Sequence, residues 1–312
     1  MLTVNAYAAT AQTEPLAPTT IERRDLGPHD VLIEIKYAGI CHSDIHTARG
    51  EWGPVTYPLV TGHEIAGIVT KVGPEVTKHN VGDRVGVGCM VDSCGQCRYC
   101  QGGQEQYCLK GNIGTYGATG KDGQPTQGGY STHIVVTQDF VLHIPDGLGL
   151  DVAAPLLCAG ITTYSPMNRW GAGPGKKVAV VGLGGLGHMG VQIAHAMGAE
   201  VTVLSQSLKK QEDGLRLGAD HYYATSSPET FEKLAGIFAL FLTTVSASIT
   251  VYSFLSLLPV DRSLMLIFTP PYSLSLAVCS LLMIRHTFSR SLIAVMHDRP
   301  TCLLFCPAYH IH

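Results

Sequence analysis

The sequence predicts a two-domain α/β protein in which a small, irregular β-barrel precedes a doubly wound parallel sheet. Up to about residue 150, short apolar strands alternate with glycine-containing turns, a pattern typical of small antiparallel barrels. From Ala153 onward, apolar runs of strand length alternate with segments of helix length, as in βαβ units. We therefore predict one domain over residues 1–152 and a second over residues 153–312.

The individual elements follow from where apolar residues cluster and where glycines interrupt them. In the first domain we predict strands over residues 31–37, 64–73 and 81–88, a glycine-rich loop over 111–129 and renewed apolar alternation over 130–142. In the second domain we predict strands over 177–181, 200–204 and 221–224, and helices over 185–197, 208–217 and 229–235.

Composition excludes several classes of partner. The chain has 312 residues, 46% of them hydrophobic and 14% charged, with a formal net charge of −3. This charge gives no electrostatic basis for binding nucleic acid or an anionic membrane. The first fifteen residues lack the basic and apolar regions of a secretory signal, and four of the ten cysteines have metal-ligand spacing. A reducing cytoplasm with bound zinc is therefore favoured over disulfides.

The composition changes after Gly236. No glycine follows this residue, and Leu234 to Val260 contains no charged side chain, so a membrane span is an alternative for this segment. We favour buried strands and helices of a soluble sheet, because these also read as apolar runs. Proline interrupts the segment at Pro259 and at 270–271, and no cluster of basic residues flanks it.

A first group of candidate metal ligands consists of Cys41, His63 and Cys158. Two thiolates and an imidazole leave the fourth position of zinc open, as catalytic sites require, and such a position lowers the pKa of a bound alcohol or water. Glu64 is an occasional ligand or a neighbour of the ion, and Asp44 is a candidate partner that orients the His63 ring. Spacing alone leaves open whether Cys158 is instead a buried free cysteine.

A second group of cysteines is spaced C-x2-C-x2-C-x7-C and consists of Cys94, Cys97, Cys100 and Cys108. Four thiolates from one loop make a closed tetrahedral site, which predicts a structural zinc. An iron–sulfur cluster is the competing metal, although the seven-residue gap and the missing Cys-Pro ending argue against it. Disulfides are the remaining alternative.

A glycine motif of the form G-x-G-x-x-G lies between a predicted strand and a predicted helix. Such a turn lets the backbone approach a pyrophosphate at the helix N-terminus, so we expect dinucleotide contacts from Gly182, Gly184, Gly185, Leu186 and Gly187. The next strand ends at Ser205 and Ser207, followed by Lys210, instead of an acidic residue. Hydroxyls and a cation suit a ribose 2′-phosphate, which favours NADP over NAD, unless the lysines only form a solvated helix face.

The remaining histidines and cysteines have no metal spacing. We predict His188, His195, His221 and His286 to be core or surface imidazoles, and Cys89 and Cys279 to be small buried hydrophobes. A metal site formed by Cys302, Cys306, His310 and His312 is disfavoured, because no second half of such a motif accompanies them.

Taken together, these motifs resemble the zinc-dependent medium-chain alcohol dehydrogenases, and specifically the cinnamyl-alcohol-dehydrogenase-like, NADP-linked aldehyde reductases. The matching segments are Cys41 to Asp44, Tyr57 to Glu64, the four-cysteine loop, Cys158 to Tyr164, Gly182 to His188 and Leu217 to Asp220. The resemblance implies a GroES-like catalytic domain, a Rossmann domain, two Zn²⁺ ions per chain, NADP(H) and usually a homodimer.

The resemblance also implies individual roles. Ser43 would exchange the proton of the alcohol and pass it through the nicotinamide ribose to His46 and solvent. Thr162 would pack near the nicotinamide and His42 near the pyrophosphate, while Trp52 would form a wall of the substrate pocket. The expected reaction is hydride transfer between NADP(H) and an aromatic or aliphatic primary alcohol or aldehyde, mainly as aldehyde reduction.

The chain departs from the family pattern after Gly236. The expected Asp-Gly turn is Asp261-Arg262, the Gly-x-Pro loop is Thr269 to Pro271, and Ser289 to Ser291 stands where a glycine-containing turn is expected. The resemblance further implies that the return into the catalytic domain is truncated. An inactive homologue that binds zinc and dinucleotide without turnover is therefore the alternative function.

Overall fold

The structure, a computed structural model, describes residues 1–245, 251–267, 285, 287–291, 296 and 298–311. Contacts divide these residues into two compact units. Unit 1 contains residues 1–161, 296 and 298–308, and unit 2 contains residues 162–245, 251–267, 285, 287–291 and 309–311. The division lies after Ile161, later than the boundary predicted at 152/153, and it assigns a C-terminal helix to unit 1.

Unit 1 is mainly antiparallel β-structure. Its strands are β1 (Leu2–Ala8), β2 (Ala17–Arg23), β3 (Asp30–Ala38), β4 (Ile65–Val72), β5 (Arg84–Val87), β6 (Met90–Asp92), β7 (Ile113–Gly114), β8 (His133–Thr137) and β9 (Leu142–His143). Its first helices are α1 (His42–Ala48), α2 (Arg98–Gln101) and α3 (Leu150–Pro155). The main sheet has the order β8-β3-β4-β5-β9, while β1 pairs with β2 and β6 with β7.

The core of unit 1 follows from the alternation of apolar side chains along β3 and β4. Val31 and Ile33 of β3 and Ile65 of β4 are fully buried, as expected for the inner face of a half-covered sheet. Helix α3 packs against β3, β4 and β5, so the residues that follow it remain in unit 1. This packing is the physical reason why the division falls after α3 rather than before it.

Unit 2 is a parallel α/β sheet. Its helices are α4 (Ile161–Arg169, whose first residue belongs to unit 1), α5 (Gly185–Ala196), α6 (Gln211–Arg216), α7 (Pro228–Lys233) and α8 (Val251–Leu255). Its strands are β10 (Lys177–Val181), β11 (Glu200–Ser205), β12 (His221–Ala224), β13 (Leu240–Thr243), β14 (Ser263–Leu266) and β15 (Thr287–Arg290). The described strands have the order β12-β11-β10-β13-β14-β15, which is the doubly wound order and confirms the predicted fold class.

The apolar segment that follows Gly236 is largely buried in unit 2 where the structure describes it. All four residues of β13 are buried, and Phe238, Phe241 and Leu257 belong to one core cluster beneath the sheet. Within the described ranges, no helix has both the length and the apolarity that a bilayer crossing requires. Residues 246–250 and 268–284, which carry much of the predicted apolar run, lie outside the described residues.

Two of the three sequence departures from the family pattern lie within the described residues. The turn before β14 places Asp261, not Arg262, in the left-handed region with φ of 61°, and aspartate is one of the residues that tolerate this conformation. Ser289 lies within β15 rather than in a turn. Thr269 to Pro271, Cys279 and His286 lie outside the described residues.

The last described helix, α9 (Asp298–Ala308), returns to unit 1. It packs against β9 and against the turn of π-helix at Leu156–Gly160. Cys302 and Cys306 are both buried in α9, and their Sγ atoms lie 3.9 Å apart. The part of the chain that the structure describes brings no third metal-ligating side chain to these two cysteines.

Candidate active site

The first cluster of candidate ligands begins at the N-terminus of α1. Cys41 is the N-cap residue in an extended conformation, with φ of −104° and ψ of 153°. Its backbone N–H donates to Oδ2 of Asp44 at 3.0 Å, so one helical turn holds the cap in place. The Cys41 thiol therefore projects from a fixed turn beside a buried carboxylate.

His63 is oriented by the same carboxylate. Nδ1 of His63 lies 2.9 Å from Oδ1 of Asp44, and both side chains are almost completely buried. Because a carboxylate only accepts, Nδ1 carries the proton and Nε2 presents its lone pair. Nε2 lies 3.2 Å from Sγ of Cys158, so the ring directs its lone pair into the cluster. Asp44 has the orienting position that the sequence predicts for it.

Asp44 is itself held by further donors. The Gly62 N–H donates to Oδ1 at 2.9 Å, and the Tyr130 hydroxyl donates to Oδ2 at 3.0 Å. Together with Cys41 and His63, four donors therefore converge on the two carboxylate oxygens. Tyr130 was not among the predicted site residues, because no local spacing links it to α1.

Cys158 reaches the cluster from the other end of unit 1's sequence. It lies on the π-helical turn Leu156–Gly160, and such turns are frequent at functional sites because they shift side chains relative to a regular helix. Its Sγ lies 3.9 Å from Sγ of Cys41. The structure thus places Cys158 beside Cys41 and His63, the arrangement that sequence spacing left open.

The donor set fits a zinc ion. Cys41, His63, Glu64 and Cys158 each offer a ligand atom, and these atoms all lie within 4.8 Å of one another. With Zn–S bonds of about 2.3 Å, tetrahedral geometry places two sulfurs about 3.8 Å apart. The observed Cys41–Cys158 separation of 3.9 Å matches this value. Gly39 leaves room for the Glu64 carboxylate, because a Cβ at position 39 would lie only 2.0 Å from Oε2 of Glu64.

The protonation properties of the cluster are consistent with cation binding. The hydrogen bond from Cys158 and the neighbouring His63 lower the pKa of the Cys41 thiol to about 4, despite its burial. Burial and the negative charge of Cys41 raise the pKa of Glu64 to about 8. A thiolate is the metal-binding form of cysteine, so Cys41 is a stronger candidate ligand than Glu64.

Two residues near this cluster were not predicted to belong to it. A hydrogen bond with Cys158 lowers the pKa of Cys89. Cys89 is only partly buried, so this thiol lies beside the ligands and is not the small buried hydrophobe that the sequence predicts. Arg299 of α9 is 1% exposed. Burial lowers the pKa of its guanidinium, while the charges of Cys89 and Cys158 act in the opposite direction. Among the described residues, its three nitrogens have no hydrogen-bond partner.

The predicted relay residues lie on α1. Oγ of Ser43 is 3.6 Å from Sγ of Cys41, so the hydroxyl is adjacent to the candidate zinc position. Nδ1 of His46 pairs with Glu51, and the His46 ring stacks on Trp52 with ring centroids 5.0 Å apart. Glu51 was not predicted, and it fixes the orientation of His46. Trp52 is 41% exposed and therefore presents a free edge to solvent.

The four-cysteine loop forms a second cluster. The Sγ atoms of Cys94, Cys97, Cys100 and Cys108 all lie within 4.8 Å of one another. The Cys94–Cys100 and Cys97–Cys100 separations are 3.8 and 3.4 Å. Backbone N–H groups of Cys100 and Leu109 lower the pKa of Cys97 to about 6. Four converging sulfurs with no open side fit a closed tetrahedral zinc site.

The glycine motif in unit 2 forms the expected strand–turn–helix. Gly182 follows β10 with φ of 88°, a left-handed conformation that glycine adopts without strain. A Cβ at Gly187 would lie 2.1 Å from the carbonyl oxygen of Gly182, so only glycine allows α5 to start this close to the strand. Gly184 is the N-cap residue of α5, and Gly185 and Leu186 form its first turn. The first turn of α5 has backbone N–H groups without partners inside the helix, and such groups suit a phosphate.

The other predicted nucleotide contacts come from the end of β11, from the 3-10 turn after it, and from helices α4 and α1. Ser205 ends β11, Ser207 precedes a 3-10 turn, and Nζ of Lys210 donates to the carbonyl of Leu183 at 2.9 Å. Thr162, in α4, is buried within unit 2. His42 lies on α1 in unit 1.

The histidines predicted to be structural are found in such environments where they are described. His188 lies on α5 with Nδ1 3.1 Å from the carbonyl oxygen of Gly184, and His221 pairs with Glu200 on the surface. The His195 ring packs against Gly218. Within the described ranges, none of the three belongs to a cluster of potential ligands.

Comparisons with known proteins place the sequence in a family. Residues 27–146 match the family model of the alcohol dehydrogenase GroES-like domain, and residues 185–298 match that of the zinc-binding dehydrogenases. An NADP-dependent alcohol dehydrogenase C of Mycolicibacterium smegmatis is 60% identical over 312 residues, which cover 100% of this chain and 89% of that protein. A probable formaldehyde dehydrogenase of Bacillus subtilis is 57% identical, over 94% of this chain and 84% of that protein.

Two solved structures are similar in both fold and sequence. A cinnamyl alcohol dehydrogenase from Sorghum bicolor superposes with a TM-score of 0.96 and 39% identity, covering 99% of this chain and 88% of that chain. The CAD from Helicobacter pylori complexed with NADP(H) superposes with a TM-score of 0.93 and 38% identity, covering 99% of this chain and 89% of that chain.

Proposed function

Because this chain belongs to the zinc-dependent medium-chain alcohol dehydrogenase family, we propose that it transfers a hydride between NADP(H) and a primary alcohol or aldehyde. The expected main direction is reduction of aromatic or medium-length aliphatic aldehydes. The observation that carries the proposal is the convergence of Cys41, His63, Glu64 and Cys158 within 4.8 Å. NADP is supported by the relatives named above and by the serines that follow β11.

The proposed catalytic metal site consists of Cys41, His63 and Cys158, with Glu64 beside them. When bound, zinc polarises a carbonyl oxygen and lowers the pKa of an alcohol hydroxyl, and NADP(H) supplies or accepts the hydride. The Asp44 carboxylate accepts a hydrogen bond from the Nδ1–H of His63, and this bond keeps the Nε2 lone pair directed at the site. The second cluster, Cys94 to Cys108, is proposed as the structural zinc site.

Ser43 and His46 are proposed to move the proton. During aldehyde reduction the Ser43 hydroxyl would donate a proton to the substrate oxygen, and His46 would supply the proton that replaces it. Bound nucleotide would contribute a ribose hydroxyl that can both accept and donate a proton. Glu51 and Trp52 hold the His46 ring in one orientation. The His46 side chain is 16% exposed, which gives the proton a route to solvent. Trp52 is proposed as an apolar wall that contacts the substrate.

The nucleotide is proposed to bind at the turn Gly182 to Gly187. Its pyrophosphate would accept hydrogen bonds from the N-terminus of α5, and the 2′-phosphate would contact Ser205, Ser207 and Lys210. We propose that Thr162 lies beside the nicotinamide and His42 beside the pyrophosphate. Both roles rest on the family resemblance alone. We also propose a homodimer in the cytoplasm, which light scattering of the purified chain and cell fractionation would test.

The decisive test is NADPH oxidation by the purified chain with benzaldehyde, with and without a zinc chelator. We expect turnover that the chelator abolishes and added zinc restores. Replacing Ser43 with Ala should lower kcat by about 10²–10⁴-fold, since it removes the proton donor, without changing zinc content. A soluble chain that holds two zinc ions per molecule but oxidises no NADPH with any aldehyde would contradict the proposal.

A further inference from the structure

A third group of potential metal ligands lies outside the two cysteine clusters. His79, Asp83 and His143 each offer one ligand atom, and these atoms lie within 4.8 Å of one another. His79 and Asp83 belong to the turn that precedes β5, and His143 lies on β9. Because β9 pairs with β5, opposite Val85, the sheet itself brings the three side chains together.

The hydrogen bonding of His143 determines which nitrogen carries a lone pair. Nε2 of His143 lies 2.9 Å from the carbonyl oxygen of Lys78. A carbonyl oxygen only accepts, so Nε2 carries the proton and Nδ1 carries the lone pair. A backbone carbonyl on the second nitrogen is the usual partner of a metal-ligating histidine. Nδ1 faces Oδ2 of Asp83 at 3.9 Å.

Asp83 is also held in place. Its Oδ2 accepts the backbone N–H of Asn80 at 2.8 Å, and the backbone N–H of Asp83 donates to the carbonyl of Asn80 at 3.1 Å. The turn is therefore closed by its own hydrogen bonds. A lone pair on Nδ1 of His143 and an anionic oxygen of Asp83 face each other, an arrangement that a cation between them would stabilise.

His79 supplies an independent observation. Its side chain belongs to a residue that is only 4% exposed. Within the described part of the chain, neither ring nitrogen of His79 makes a hydrogen bond of normal geometry, although buried polar groups nearly always do. The backbone of Gln138 and Val141 lies close enough to act on the ring. The ring lies beside that of His143, with centroids 4.5 Å apart. Contact between the rings explains their packing but provides no hydrogen bond for the nitrogens of His79.

We propose that His79, Asp83 and His143 form a third metal site that binds a divalent transition-metal ion such as Zn²⁺. Ligand bonds of about 2.0–2.1 Å in tetrahedral geometry place two ligand atoms about 3.4 Å apart. The 3.9 Å between His143 and Asp83 would therefore shorten by about 0.5 Å when the ion binds. Three protein ligands leave a fourth position for water. Two neutral imidazoles and one carboxylate suit zinc, copper, nickel or cobalt rather than calcium or magnesium.

This site differs in character from the two cysteine clusters. It has no thiolate, and the side chains of Asp83 and His143 are 25% and 59% exposed. The ion is therefore exchangeable, whereas the ions of the buried cysteine clusters are retained. Its effect is to tie the turn before β5 to β9, so binding stabilises unit 1. The proposal is independent of the dehydrogenase activity.

The test is calorimetric titration of the full chain, already holding its two tightly bound zinc ions, with Zn²⁺. We expect one further ion per chain. His143→Gln should weaken binding of this third ion at least ~10-fold, because it removes the imidazole ligand. Asp83→Asn should weaken binding of the ion by a similar factor, while its amide oxygen can still accept the hydrogen bond from the Asn80 N–H. His29→Gln is the matched control, because His29 has a 60% exposed side chain that pairs with Glu75 and lies outside the proposed site.

A second readout is the melting temperature with and without added Zn²⁺. The wild type and His29→Gln should both show a Zn²⁺-dependent increase, and His143→Gln should show none. His143 is exposed enough for its replacement to leave the fold intact, which circular dichroism checks. The absence of a third ion in the wild type, or a third ion bound equally well by His143→Gln, would overturn the proposal.

Discussion

Replacing Asp44 with Asn tests whether this carboxylate organises the candidate catalytic site. Asp44 is 2% exposed, and four donors converge on it: the N–H groups of Cys41 and Gly62, His63 Nδ1 and the Tyr130 hydroxyl. A carboxylate accepts all four, whereas an amide presents an acceptor at only one of its two positions. The Asp44→Asn variant must therefore leave part of this network unsatisfied.

The structure indicates which contact is lost. If the amide oxygen faces His63 and Gly62, the amide nitrogen faces Cys41 and Tyr130. Tyr130 can then accept from that nitrogen and donate instead to the carbonyl of Gly39, which lies 3.2 Å from its hydroxyl. Only the Cys41 N–H then lacks an acceptor. Losing one hydrogen bond to a charged acceptor costs about 1.5–3 kcal/mol.

Two measurements check this value. Urea unfolding of the zinc-loaded chain should show a decrease in the free energy of unfolding within that range, and zinc retention against a chelator should fall about 10–100-fold. Asp139→Asn is the control for loss of charge, since that side chain is 63% exposed and pairs with Lys78 on the surface. An Asp44→Asn variant that unfolds and retains zinc like the wild type would refute the reasoning.

Three further outcomes follow from the geometry. Cys100→Ser should leave the chain with one zinc ion instead of two and lower its melting temperature, as measured by metal analysis and calorimetry, because a closed site needs all four thiolates. Ser205→Asp should change the ratio of kcat/KM for NADPH to that for NADH by at least ~10-fold in favour of NADH, by repelling the 2′-phosphate. Burial opposes ionisation of Asp30, but the hydrogen bonds and charge of Arg24 outweigh it and lower the pKa of Asp30. The stabilisation from this pair is therefore present above the unfolded pKa of about 3.9 and is lost as pH falls through the folded value. Asp30→Asn should accordingly destabilise the chain by about 1 kcal/mol at pH 7 and by less at pH 3 in urea unfolding, and an equal effect at both values would contradict this.

Local sequence patterns were sufficient for the fold class and for the clusters with short spacing. Strand β10 and the glycine turn after it can be predicted because both are signalled within a few consecutive residues. The four-cysteine loop can be predicted for the same reason. The strand predicted over 81–88 is shorter in the structure, because the turn closed by Asn80 and Asp83 delays its start to Arg84.

Groups that meet through tertiary packing could not be predicted in this way. Tyr130 reaches Asp44 from a segment 86 positions away, and Glu51 holds His46 from the loop that follows α1. The side chains of His79 and His143 carry no common spacing, and they meet only because β9 pairs with β5. In each case the signal is the register of a sheet or the path of a loop, neither of which residue spacing encodes.

Arg299 illustrates how far such long-range effects extend. The apolar, glycine-free C-terminal part of the sequence suggested a departure from the site, yet α9 packs against the turn that carries Cys158. This packing places a buried guanidinium where the charges of Cys89 and Cys158 act on it. Burial lowers the pKa of the Arg299 guanidinium, and the charges of Cys89 and Cys158 oppose only part of this effect. The guanidinium in turn lowers the pKa of Cys89. The C-terminal helix therefore contributes to the electrostatics of the candidate zinc site as well as to the core of unit 1.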